Sequence, residues 1–410
     1  MLMPEADKDL PQKSSRNIYV FGFTSLFNDT ASEMAYWVLP AFLASIGAGP
    51  AQLGIIEGIA ESVASFVQLF SGYLADRVSR RKPIVVAGYF VANLVKPLLA
   101  LVTSWGQVLA IRFADRFSKG VRGAPRDVMI AESSSRLGSA YGLIQAMDSA
   151  GAVMGPLAAL FLLPLYGLRG VFWAAAVPGF LCFVIALVGI KEIRKAHSAP
   201  LSTQAAAPPP RQPTAGELSR WTGLANLPGA FYYVLFAVTL FSLGNSSDMF
   251  LVLRAQSIGI PASRAPLLGL VFNITYTMFS WPAGDLSDRF SRRAIAAAGY
   301  LVFAAVYFVF ALAPSGTAIW IAMASYGMFY ALTNAVLKAL VVETVAQEVR
   351  GRALGVYAAV TSVAMLGASL ITGGLWKHYG ARVPFYVSAA IAAVAAGLLL
   401  GSPSVGRSAE

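Results

Sequence analysis

Four carboxylates lie in pairs inside long apolar runs. Asp29 and Glu33 are four residues apart in the first run, and Glu57 and Glu61 are four apart in the second. That spacing puts each pair on one face of a helix. Arg112, Asp115 and Arg116 follow with i, i+3, i+4 spacing, so Asp115 can pair within its own helix. Lys96, Gln145 and Asp148 complete the charged and polar set of the first half; the second half carries mainly Asp248, Lys338 and Glu343. Ionisable groups in such surroundings are costly and are functional candidates by default. The chemistry that suits them is proton loading and release. Desolvation disfavours a charged carboxylate and a neighbouring arginine favours it, so a site that alternates between those surroundings takes up and releases a proton in one cycle. Asp29, Glu33, Glu57 and Glu61 are the proton candidates, with Arg112 as the modulating cation. Static pairs that hold helices in register are the plainer alternative, and the same four acids also offer hard oxygen ligands for a cation.

The elements that must position these groups are membrane spans. Of 410 residues, 57% are hydrophobic and 12% charged, whereas a soluble domain carries about 25% charged residues. The apolar segments are each near the ~20 residues of a spanning helix, and they are continuous rather than alternating, which argues against a barrel. Twelve spans are expected: 17–44, 51–75, 83–104, 106–130, 137–165 and 170–190, then 228–253, 263–286, 294–313, 316–345, 351–376 and 382–402. The fold class is an all-α membrane protein of two six-helix bundles, 17–190 and 228–402. Residues 191–227, basic and rich in Ala and Pro, read as a flexible cytoplasmic linker.

Charge placement orients the chain. With the N-terminus inside, cytoplasmic tails and loops hold 23 of the 31 Lys and Arg, the opposite loops hold five, and Lys96, Arg112 and Lys338 fall within spans. The positive-inside rule then puts both termini in the cytoplasm, in the bacterial inner membrane. The net charge of +11 sits in short turns between apolar segments, so it signals topology, not nucleic acid. The first sixteen residues lack an apolar core, and no cleaved signal peptide is expected. A lone cysteine, Cys182, excludes an internal disulfide and a multi-thiolate metal site; inside an apolar run it reads as a small buried hydrophobe. His197 and His378 fall in expected loops. Three glycosylation-type triplets, beginning at Asn28, Asn245 and Asn273, lie within spans and out of a transferase's reach.

The halves repeat. Gly72-Tyr-Leu-Ala-Asp76-Arg77-Val-Ser-Arg80-Arg81-Lys82 recurs as Gly284-Asp285-Leu-Ser-Asp288-Arg-Phe-Ser-Arg292-Arg293, an offset of 212. Ser25-Leu-Phe-Asn28 recurs as Ser242-Leu-Gly-Asn245, each followed by an acidic-Met pair, Glu33-Met34 and Asp248-Met249. Arg136 through Gly142 likewise resembles Arg350 through Gly355. Parallel six-helix repeats place a substrate site where the halves meet, near the bilayer midplane. Asn28 and Asn245 are then cavity-lining polar groups, and Tyr36, Trp37, Phe272, Tyr276, Trp281 and Tyr330 are candidates for an amphipathic pocket.

The basic turn resembles the signature loop of the major facilitator superfamily, with Ser79 where that family usually has glycine. Gly151-Ala-Val-Met-Gly155-Pro156 resembles the Gly-x-x-x-Gly-Pro motif of the superfamily's antiporters and exporters. Arg112 matches a conserved membrane arginine, although Arg116 replaces a glycine of that pattern. The segment from Asn28 to Met34 looks like a branch of prokaryotic permeases. The resemblance covers residues 17–402 and implies alternating access. It makes Gly72, Asp76, Arg77, Arg80, Arg81, Asp288 and Arg292 a conformational latch, with Asp76 facing the start of the eleventh span. A carboxylate suits such a helix N-terminus. Gly151 and Gly155 allow close helix packing and Pro156 a kink, so the resemblance makes them a hinge or seal.

The function these readings imply is proton-coupled efflux of small organic molecules, resembling drug and metabolite antiporters. A proton symporter for solute uptake and a cation or metal-ion exporter are the alternatives. There is no phosphate-binding glycine loop, metal-ligand histidine cluster or nucleophile-base spacing, so no catalytic or metal residue is assigned and no enzyme is expected. No appended soluble domain points to a receptor. The expected partners are a small-molecule substrate, protons and lipid, without nucleic acid; the proton gradient replaces any cofactor, and the chain is expected to be a monomer.

Overall fold

Helices account for nearly every described residue, and there is no strand among them. The computed structural model describes residues 15–78, 80–133, 137–192, 227–313, 315–345 and 350–401. Helices α1 (Ser15–Tyr36) and α2 (Leu39–Ser45) form the first span, interrupted at Trp37-Val38 just before Pro40. Helices α3 (Pro50–Arg77), α4 (Lys82–Leu98) and α5 (Trp105–Ser133) are the next three. Helix α6 (Leu137–Ala174) breaks at Gly167, whose φ of 66° and ψ of −176° are essentially restricted to glycine. The fifth span ends there, and the sixth continues into α7 (Ala176–Gly189).

In the second half, α8 (Gly229–Gly244) and α9 (Met249–Ser257) share the seventh span. They part at Asn245-Ser246-Ser247-Asp248, residues whose short polar side chains compete for backbone hydrogen bonds. Helices α10 (Ala265–Arg289), α11 (Arg292–Leu312), α12 (Gly316–Glu343), α13 (Arg350–Tyr379) and α14 (Val383–Gly401) supply the remaining five. The chain is thus an all-α protein of twelve spans, as the apolar runs predicted. Six helical stretches are long and apolar enough to cross a membrane on length and composition alone. Most of these lie in the second half, because the first four spans carry the denser charge. Of the linker expected at 191–227, only the two ends lie among the described residues.

The described residues form two compact units: one within Met1–Phe42, Phe66–Ile193 and Ser263–Leu270, the other within Leu43–Ser65, Arg194–Ala262 and Val271–Glu410. In the first, α1 packs on α6 and α7, and α4 packs on α5 and α7. Phe21, Val85, Tyr89, Met129, Ile144 and Cys182 meet in its core, so Cys182 is a buried free thiol. In the second, α11 packs on α12 and α14, and α8 packs on α13 and α14. Phe241 and Tyr300 stack there at 3.8 Å between ring centroids. Large apolar side chains also face outward, including Phe161 (70% exposed), Leu165 (73%) and Val188 (71%). An outer surface this apolar is one that lipid covers.

The first half of α3 packs on α13 inside the second unit with almost no space between backbones. A methyl group on Gly54 would lie 2.3 Å from the Ser369 carbonyl oxygen, and one on Gly373 would lie 2.7 Å from that of Pro50. Ser62 Oγ donates to the Ser362 carbonyl at 3.2 Å. Small residues at such a contact let helices approach in lipid, where dispersion and hydrogen bonds drive association.

Candidate functional site

The first unit encloses a cavity of about 130 Å³ among α1, α4 and α5. Asn28, Asp29, Ser32, Glu33 and Tyr36 line it from α1, Lys96 and Leu99 from the end of α4, and Arg112, Asp115, Arg116, Lys119 and Arg122 from α5. Asp29 and Glu33 do share a face, as their spacing predicts. Glu33 Oε2 accepts from Trp37 Nε1 at 2.6 Å, one turn on. Asp29 Oδ1 accepts from Asn28 Nδ2 at 3.0 Å. Asp115 lies 3.5 Å from Lys96 Nζ and 3.9 Å from Arg112 Nη1, so its pairing reaches α4 as well as its own helix. Lys96 also donates to Asn93 Oδ1 at 3.2 Å, and the Arg112 guanidinium stands 5.7 Å from the centre of the Tyr36 ring.

Lys119 and Arg122 are cavity-lining residues that the sequence reading did not single out, and Arg116 was grouped there with Arg112 and Asp115 but given no role. The charge tally assigned all three to the cytoplasmic side, together with Arg126. The structure puts all four within α5 and three of them on the cavity wall. That leaves 19 Lys and Arg in positions expected to be cytoplasmic against five expected opposite, an asymmetry of the same sign. The signal was available: positions 112, 116, 119, 122 and 126 follow one helical stripe. Arg122 is 5% exposed. Its Nη2 donates to Asn28 Oδ1 at 3.4 Å, and its guanidinium lies 4.5 Å from the centre of the Tyr89 ring. Its Nη1 is buried without a hydrogen-bond partner.

Gly151 and Gly155 seat α6 against the α1 turns that carry the acids. A methyl at Gly155 would lie 2.6 Å from Glu33 Cβ and 2.8 Å from the Thr30 carbonyl oxygen. At Gly151 it would lie 2.5 Å from the Leu26 carbonyl and 3.1 Å from Asp29 Cβ. This motif therefore sets the position of Asp29 and Glu33 directly. Pro156 is buried on the same helix, Asp148 is half-buried one turn before Gly151, and Gln145 is exposed.

A second polar group lies in the second unit, at the break between α8 and α9. Asp248 Oδ1 accepts from Tyr326 at 2.6 Å and from Tyr330 at 3.4 Å. Phe272, Tyr276 and Tyr307 complete the aromatic surround. Glu57, fully buried, accepts from Ser247 Oγ at 3.3 Å, and the charges of Glu57 and Glu61 act on Asp248. Asn245 Oδ1 is buried without a hydrogen-bond partner. The four proton candidates therefore divide, Asp29 and Glu33 in the first unit and Glu57 and Glu61 in the second. Lys338 is exposed on α12.

The basic turns close each half with a matching ion pair. Arg81 Nη1 meets Glu132 Oε1 at 2.7 Å and Oε2 at 2.8 Å, and Glu192 accepts from the backbone N–H groups of Arg81 and Lys82, both at 2.9 Å. Arg292 pairs with Glu343 at the same separation along the chain, 51 residues. The structural counterpart of Arg81 is thus Arg292, one position away from the offset of 212. Arg80 is exposed. The side chains of Asp76, Arg77, Trp281 and Asp288, the surroundings of Gly72, and Arg136 lie outside the described residues, and so does the expected contact of Asp76 with the start of α13.

Comparison with known proteins agrees with this architecture. The Major Facilitator Superfamily model matches residues 21–253 and 234–409. An MFS-type transporter of Methanocaldococcus jannaschii, MJ1317, is 35% identical over 409 residues, covering 97% of this chain and 96% of its own. The multidrug resistance protein MdtG of Dickeya zeae is 29% identical over 192 residues, 45% of this chain and 47% of its own. Among solved structures, a POT family transporter in complex with 5-aminolevulinic acid shares the fold with a TM-score of 0.77. It is 12% identical, over 97% of this chain and 99% of that one.

Proposed function

Because the chain belongs to the major facilitator superfamily, a family of multi-pass membrane transporters, we propose that it exports small organic molecules in exchange for protons by alternating access. The observation that carries this reading is the cavity in which Asp29 and Glu33 face the cations of α4 and α5. A carboxylate among cations that must also meet a solute is placed to exchange its proton as the surroundings change. Likeness to a protein named for multidrug resistance supports the export direction, as does the Gly151–Gly155 seat beneath the two acids. The proton gradient is the energy source, without a cofactor or catalytic residue. The expected setting is the bacterial inner membrane, with both termini cytoplasmic and the chain working as a monomer.

Co-transport of proton and solute is the second reading, and one observation favours it. Five cations line the cavity against three carboxylates. In a cavity with excess positive charge, a proton on Asp29 or Glu33 and a negatively charged solute each make the other's binding easier, whereas exchange needs them to compete. Export of a metal cation fits this surplus poorly, and among the described residues no three His, Cys, Asp or Glu side chains group as a metal site.

The test is transport by the purified chain in proteoliposomes with an imposed pH gradient, across dyes, drugs, siderophores, metal ions and organic acids. Gradient-dependent accumulation of an organic solute in the more acidic compartment supports exchange, and accumulation in the more alkaline compartment replaces it with co-transport. Accumulation confined to metal ions, or none that follows the gradient, overturns both.

A further inference from the structure

We propose that the cavity of the first unit is an anion cradle, so that the transported solute carries a carboxylate, phosphate or phosphonate group that docks on Arg122. The inference rests on the transport reading of this cavity but not on the direction of proton coupling.

Arg122 carries the argument. It is 5% exposed, and a buried guanidinium without a counter-charge is strongly disfavoured. Lys96 and Arg112 both have Asp115. Among the described residues, no carboxylate forms an ion pair with Arg122. Its direct contacts are neutral, the Asn28 amide oxygen at 3.4 Å and the face of the Tyr89 ring, and Asp115 acts on it only from beyond ion-pair distance. Its Nη1 is buried with no acceptor on a residue that lines the cavity.

The neighbours reinforce this. Lys119 and Arg116 stand on the same wall, giving the cavity its excess of two positive charges if all three carboxylates are ionised. A planar guanidinium suits two-point recognition of a carboxylate or phosphate, and an adjacent ammonium adds charge without fixing geometry. Arg122 is also held in place from behind. A methyl on Gly88 of α4 would lie 2.6 Å from Arg122 Cβ, so the two helices meet there without slack. Size narrows the ligand further. A cavity of about 130 Å³ falls below the roughly 300–1,000 Å³ of sites that engulf a drug-sized molecule. It holds the acid group of a solute whose remainder lies elsewhere, or a very small organic acid entire.

The test is equilibrium binding to the purified full chain in phospholipid-free detergent, read by thermal shift and titration calorimetry. The probes are acetate and methylphosphonate, with acetamide as the neutral isostere and methylammonium as the cation. The expected result is saturable stabilisation by acetate or methylphosphonate and none by acetamide or methylammonium. Arg122→Gln is expected to weaken the anion at least tenfold. If that variant does not fold, Lys119→Gln, at the exposed edge of the cavity, is expected to weaken it about threefold. Equal response to acetate and acetamide, or unchanged anion affinity in the folded variant, overturns the proposal. Repeating the titration in phosphatidylcholine nanodiscs with and without phosphatidylglycerol separates a free solute from a lipid headgroup. Affinity unaffected by the anionic lipid supports a soluble cargo, and competition by it overturns that assignment. Specific anion binding without transport of any acid would leave the cradle standing and remove the transport reading.

Discussion

Arg122 Nη2 and Asn28 Oδ1 lie 3.4 Å apart. The same Asn28 amide turns its nitrogen to Asp29 Oδ1 at 3.0 Å. One neutral side chain on α1 therefore links a buried cation on α5 to a proton candidate. Asn28→Asp would set a carboxylate against Arg122 and neutralise it in place. The expected outcome is at least a tenfold loss of organic-acid transport, while the unfolding temperature in detergent is unchanged or raised. Asn28→Ser, which keeps a polar group and adds no charge, is expected to retain transport within about fivefold. Both are read as initial transport rates in proteoliposomes alongside thermal denaturation.

The contact between α1 and α6 gives a steric prediction. Gly155→Ala would place a methyl 2.6 Å from Glu33 Cβ, and forcing an extra carbon into close packing typically costs about 1–3 kcal/mol. Transport is expected to fall more than tenfold and the unfolding temperature to drop. Gly142→Ala on the same helix meets nothing within 4 Å and is expected to behave as wild type.

The paired basic turns differ in burial, and that decides which matters more for stability. Arg81 and Glu132 are 5% and 31% exposed at their side chains, against 27% and 49% for Arg292 and Glu343. Arg81→Gln removes a two-point charge-assisted contact and is expected to cost about 1.5–3 kcal/mol. Arg292→Gln is expected to cost less than about 1 kcal/mol. Double-mutant cycles with Glu132→Gln and Glu343→Gln, followed by thermal denaturation, would isolate each pair.

In the second unit, Tyr326 holds Asp248 with a bond of 2.6 Å. Tyr326→Phe keeps the ring and removes that donor, an expected loss of about 1.5–3 kcal/mol for a hydrogen bond to a charged group. Asp248→Asn in the same background should recover part of the loss, since a neutral amide needs its partner less. A Tyr326→Phe protein as stable as wild type would show that Asp248 is satisfied by Tyr330 alone.

Twelve spans were legible because membrane helices are written in hydrophobic length, and a bilayer leaves few alternatives. The i, i+4 spacing of Asp29 and Glu33 also carried through, since helical periodicity alone places both on one face. The cations opposite were harder to read. Arg116, Lys119 and Arg122 lie near the basic end of α5, and counting charge by side absorbed them into the cytoplasmic surface, although their stripe on the helix points at the acids. The break at residues 245–248 escaped notice because Asn28, its counterpart in the repeat, sits in unbroken helix. Close packing at Gly54 and Gly373 escaped notice too. A glycine in an apolar run does not reveal which backbone it meets, and these two meet across more than 300 residues of chain.

The central claim is that Asp29 and Glu33 couple proton movement to solute movement. Its most direct test is solute-driven proton flux in proteoliposomes under an imposed pH gradient, comparing wild type with Asp29→Asn and Glu33→Gln. The account predicts proton movement opposite to solute in the wild type, abolished by at least one substitution while solute binding persists. Movement in the same direction, equally lost, would keep the acids as carriers and replace exchange with co-transport. Coupled flux that survives in both variants would contradict the account and leave these carboxylates as structural groups.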